Sequence, residues 1–115
     1  MSDAEHLDEP PYHLFLDGGE VPVTASALRV LFNDETHEQD LRHLARDVLA
    51  QLDAPLDEHG RVTVTLSPPQ MKVTHTALSL LLGDLQREDA DERAVLRAVL
   101  DKLPDEHVMR VITIP

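Results

Sequence analysis

The chain has 115 residues, with 22 acidic side chains against 10 Lys and Arg, a formal charge of −12, no Cys and no Trp. That length suits one domain with its own core, and the lack of Cys excludes disulfide scaffolds, Cys-based zinc modules, Fe–S centres and cysteine nucleophiles. The negative excess opposes neutralising phosphates with Lys and Arg, so nucleic acid and anionic membrane surfaces are poor partners.

Residues 1–11 carry Asp3, Glu5, Asp8 and Glu9 with Leu7 as the sizeable apolar group, and are expected to be a flexible acidic tail. They have neither the basic start nor the apolar core of a secretory signal. The longest apolar run is Leu80-Leu81-Leu82, too short to span a bilayer, so a soluble cytoplasmic protein is expected. With only two Lys against eight Arg, the usage points to a GC-rich bacterial genome; adaptation to high salt is a second reading.

His13–Leu16 reads as a strand, and Asp17-Gly18-Gly19-Glu20 as a tight turn whose glycines supply positive φ. Glu20–Val23 is expected to return as a hairpin partner, with Pro22 at a sheet edge. Thr24 would then cap a helix that buries Ala27, Leu28, Leu31 and Phe32. Thr36-His37-Glu38-Gln39 forms a capping box for the next helix, whose stripe is Leu41, Leu44, Ala45, Val48, Leu49 and Leu52. Glu38 sits four residues before Arg42, the favourable order for a helical ion pair.

Arg61–Leu66 alternates and is β-branched, a clear strand. Ser67-Pro68-Pro69-Gln70 supplies a cap, Pro at the first helical position and a capping-box Gln. Met71, Thr74, Leu78, Leu81, Leu82 and Leu85 keep helical spacing after it. A fourth helix runs from about Asp89 to Lys102 on Val95, Leu96, Val99, Leu100 and Leu103, stopped by Pro104. Val108–Ile114 is expected to be a last strand.

The sequence also repeats itself. At an offset of 50, Leu16, Val23, Thr24, Ala27, Leu28, Leu31 and Asp34 meet Leu66, Val73, Thr74, Ala77, Leu78, Leu81 and Asp84. At 51, Asp40, Arg42, Arg46, Val48, Leu49 and Leu52 meet Asp91, Arg93, Arg97, Val99, Leu100 and Leu103. Asp57-Glu58-His59 returns as Asp105-Glu106-His107, and Arg61-Val62 as Arg110-Val111. The expected fold is therefore α+β: a helix-dominated, two-layer single domain over 12–115, made of two strand–helix–helix units (about 12–61 and 62–115) plus a C-terminal strand. About four helices would cover one face of a small antiparallel sheet.

No catalytic or metal-binding pattern stands out. His37 and His43 are six apart, about 240° round a helix, which does not suit a shared metal. Asp17–Glu20 is a poor phosphate cradle because two carboxylates flank it, and no serine has a nucleophile-elbow setting. The acidic pairs lack the pattern of a calcium loop. The repeated Asp-Glu-His makes His59 and His107 the candidate ligand-binding or pH-sensitive residues, each with a carboxylate neighbour able to orient it. The apolar final strand makes Val108, Val111, Ile112 and Ile114 the candidate interface, in a homodimer if the strand stands at a sheet edge.

The expected function is a non-enzymatic protein–protein interaction or regulatory module with an acidic surface. No cofactor is expected, and the partner would be a protein with basic groups or the chain's own assembly. Two alternatives remain: a DNA mimic or nucleic-acid competitor, and a small ligand-binding protein or enzyme using His59 and His107 near a pseudo-twofold axis.

Overall fold

The structure is a computed structural model, and the residues it describes are 12–33, 39–85 and 87–103. The acidic tail, the capping box expected at Thr36–Gln39 apart from Gln39 itself, His107 and the last strand lie outside them.

Strand β1 (Tyr12–Asp17) leads into helix α1 (Glu20–Asn33) and helix α2 (Gln39–Leu52). Strand β2 (Arg61–Leu66) then precedes helix α3 (Pro68–Asp84), a short 3-10 turn (Arg87–Asp89) and helix α4 (Ala90–Asp101). The fold is α+β, four helices and a two-stranded antiparallel sheet among the described residues. In the register Leu14 stands opposite Val64, and Tyr12 and Asp17 opposite Leu66 and Arg61.

Both strands alternate, so one face of the sheet is apolar. Leu14, Leu16, Val62, Val64 and Leu66 are buried, while His13, Phe15, Thr63 and Thr65 on the other face are exposed. The helices cover the apolar face with Leu28 and Leu31 of α1, Ala45 and Val48 of α2, Val73 and Leu78 of α3, and Leu96 and Val99 of α4. Burying each leucine of this set is worth about 2 kcal/mol.

The start of α1 corrects the sequence reading. Glu20–Val23 does not return as a hairpin strand; it is the first turn of α1. Asp17 Oδ1 accepts from the N–H of Glu20 at 2.9 Å and of Gly19 at 2.8 Å, and Glu20 Oε1 accepts from Asp17 N–H at 2.9 Å. This is a reciprocal capping box. Its partner opens α3, where Ser67 N–H donates to Gln70 Oε1 at 2.9 Å and Gln70 N–H to Ser67 Oγ at 3.3 Å. Asp17 and Ser67, like Glu20 and Gln70, are aligned by the repeat. Pro22 falls in the first turn of α1, where a main-chain N–H has no helical acceptor, so it costs the helix nothing.

Candidate functional site

The outer edges of the two strands are finished by the ends of α2 and α4. Gln51, in the last turn of α2, donates from Nε2 to Thr65 C=O at 2.9 Å and accepts on Oε1 from Thr65 N–H at 2.8 Å. Its carboxamide thus takes the place of a neighbouring strand. Lys102, just past α4, donates from Nζ to Phe15 C=O at 2.9 Å. The repeat aligns Lys102 with Gln51, and Phe15 with Thr65. Lys102 Nζ also meets Glu20 Oε1 at 2.5 Å, and the Tyr12 hydroxyl donates to Lys102 C=O. Glu20 is the one buried carboxylate among the described residues, at 6% exposure.

Two arginines are spent the same way. Arg42 donates from Nε to Phe32 C=O at 2.8 Å near the end of α1. Arg93, its counterpart, donates to Leu82 C=O at 3.3 Å and to Leu85 C=O at 3.2 Å at the end of α3. Cations there satisfy carbonyls that have no helical donor and oppose the negative pole of the helix. Arg42 also stands 5.7 Å from the Phe32 ring, and Arg61 the same distance from Phe15. The carboxylates point the other way: Asp40, Asp47, Asp53, Glu58, Asp91 and Asp101 are exposed.

His59 lies on the turn before β2, exposed, with Nε2 3.5 Å from Glu58 Oε1. The neighbouring Asp57 organises that turn. Its Oδ1 accepts from the N–H groups of His59 at 2.8 Å and Arg61 at 3.0 Å, and Gly60 supplies the φ of +74°. Those donations, Arg61 foremost, hold the Asp57 carboxyl below its ordinary range. His107, Val108, Val111, Ile112 and Ile114 lie outside the described residues.

Two surface concavities border these elements. A cleft of about 430 Å³ lies along β1 between Tyr12, His13, Phe15, Arg61 and Lys102. A groove of about 290 Å³ between α1 and α3 is lined by Ala27, Val30 and Leu31 and by Ala77, Leu80 and Leu81, positions matched by the repeat. Val30 and Leu80 are half exposed on its rim. Among the described residues no three His or acidic side chains converge as a metal set, and no helix is long and apolar enough to cross a membrane. No protein-family model, curated protein or solved structure matches the chain.

Lys102, Glu20 and Gln51 are the residues that sequence reasoning missed. The repeat marks each position singly, aligning Gln51 with Lys102 and the Asp17–Glu20 pair with the Ser67–Gln70 capping box, but gives no signal for the contact between Lys102 and Glu20.

Proposed function

We propose that the chain is a non-enzymatic protein–protein interaction or regulatory module that presents an acidic surface to a protein with basic groups. The observation that carries this reading is the division of charge. Lys102, Arg42 and Arg93 are turned onto the chain's own carbonyls and onto Glu20, while Asp40, Asp47, Asp53, Glu58, Asp91 and Asp101 stand exposed. Arg46 and Asp47, both exposed, are 3.9 Å apart. An anionic field of this kind speeds encounter with a cationic partner and selects for it.

The scaffold is read as a tandem copy of one strand–helix–helix unit, about 12–61 and 62–115, closed as a single domain over a common interior. In support, the paired capping boxes, the paired strand-edge contacts and the paired arginines fall at matched positions. So do Leu28 and Leu78, both fully buried, and Thr24 with Thr74.

The test is capture of partners from an extract of the source organism on the immobilised chain, at low and high salt, beside a variant with Asp40→Lys, Asp47→Lys and Asp101→Lys. Retention of a basic protein at low salt, lost at high salt and on the variant, is expected. Capture indifferent to both changes contradicts an electrostatic partner. Recovery of only a second copy of the chain would make its own assembly the partner.

A further inference from the structure

The four helices differ in what their outer faces carry. The exposed positions of α2 include Asp40, Arg46 and Asp47, and those of α4 include Asp91, Arg97 and Asp101. These two helices are apolar inward and charged outward. On α1 the exposed positions are Pro22, Ser26, Arg29, Val30 and Asn33, and on α3 they are Ser79, Leu80, Gly83 and Asp84. Arg29 is the single formal charge of α1 after Glu20, and Lys72 that of α3 before Asp84. A helix without a charged face is built to be covered on more than one side.

The exposed apolar residues of these two helices are matched. Val30 is 57% and Leu80 50% exposed, and the repeat aligns them. Both rim the groove of about 290 Å³ between α1 and α3, whose walls carry Ala27 and Leu31 on one side and Ala77 and Leu81 on the other. Each wall is thus the repeat's copy of the other. Apolar side chains gathered at the surface around a groove mark a binding surface.

The charge pattern selects the occupant. Of the 22 acidic residues, none falls between Glu20 and Asp34 or between Glu58 and Asp84. A partner with basic groups is drawn instead to the carboxylates of α2 and α4. A second copy has the opposite requirement. At a formal charge of −12, two copies repel wherever carboxylates meet, and the α1–α3 face lets them approach with apolar surface between them. A twofold dimer also needs a patch that complements itself. A groove with two equivalent walls meets that condition, because either helix of the mate finds similar side chains opposite it.

We propose that α1 and α3 dock on α1 and α3 of a second copy of the chain, forming a four-helix interface about a twofold axis with Val30 and Leu80 buried in it. The carboxylates of α2 and α4 stay outside that interface. The dimer does not depend on a basic partner, and salt acts on the two in opposite senses. Screening weakens capture of a cationic protein and strengthens association of two anionic copies.

Sedimentation equilibrium of the full-length protein over a concentration series, at low and high salt, tests this. The expected mass at the upper concentrations is twice the 12.9 kDa of one chain, with the dimer favoured by added salt. Val30→Glu with Leu80→Glu should raise the dissociation constant by about a hundredfold or more, since both carboxylates would be buried against an apolar surface. Phe15→Glu with Leu56→Glu adds the same charge at two other exposed apolar residues and should leave the dimer largely intact. In the parent, amide chemical shifts that move on dilution should cluster on α1 and α3, a readout that needs no variant. A monomer throughout the series overturns the proposal, as does a dimer that the first pair leaves unchanged or the second pair breaks equally. Dilution shifts confined to other elements overturn it as well.

Discussion

Asp57 shows how much one side chain can organise here. Its Oδ1 gathers two backbone N–H groups, its carbonyl accepts from Gly60 N–H at 2.9 Å, and the chain reverses into β2 with its first residue already bonded. Sequence reasoning gave the Asp-Glu-His turn to its histidine, yet it is the aspartate that carries the structure. Because the native carboxyl titrates below its ordinary range, ionised Asp57 stabilises the fold above the pKa of unfolded aspartate, and that contribution is lost as pH falls through the lowered value. Asp57→Asn is therefore expected to lower stability at neutral pH and to flatten its decline in acid, measured by urea unfolding across a pH series. A variant whose acid profile superimposes on that of the parent would show that the carboxylate charge has no part in the turn. The repeat also has limits at this scale: Thr74 donates to Gln70 C=O at 2.8 Å, while Thr24 Oγ1 is buried without a partner among the described residues.

Among the elements, the junction of β1, α1 and α4 ties the N-terminal strand to the last described helix. Lys102 bridges Phe15 and Glu20, so losing it frees a strand carbonyl and leaves a buried carboxylate without its cation. Lys102→Met should cost about 2 kcal/mol, toward the lower end for broken ion pairs because the lysine is partly exposed. Adding Glu20→Gln, which keeps an acceptor for Asp17 N–H, should recover part of that loss. Equilibrium urea unfolding of the three proteins decides it, and a Lys102→Met loss no larger than that of a surface substitution would contradict the bridge. Most element boundaries were legible: the alternation of Arg61–Leu66, the apolar stripe of α2 and the Ser67–Gln70 box are local patterns and lie where they were read. The start of α1 was not, because Gly18-Gly19 followed by Val21-Pro22-Val23 imitates a hairpin. What overrides that pattern is the reciprocal bonding of Asp17 and Glu20. The Lys102–Glu20 contact was beyond reach, since no local periodicity joins residues so far apart in the chain.

At the scale of the molecule, the elements before and after Gly60 pack on one another. β1 pairs with β2, α1 packs on α3, and the leucines and valines of both halves meet in the same buried cluster. A cluster shared in this way is expected to unfold as one cooperative unit. Most of the described carboxylates are exposed, and Arg42, Arg93 and Lys102 are spent on helix ends and a strand edge, so much of the like-charge repulsion is kept at the surface.

The claim beneath all of this, that the two halves share one interior, is tested most directly by urea unfolding followed residue by residue by NMR in the parent, Leu28→Ala and Leu78→Ala. Both leucines are fully buried, so each substitution should cost about 3 kcal/mol, within the 2–5 kcal/mol range for such changes. The account predicts one transition in every protein, with probes in both halves sharing a midpoint and moving together whichever leucine is cut. Two separate transitions, or a Leu78→Ala loss confined to probes beyond Gly60, would contradict it.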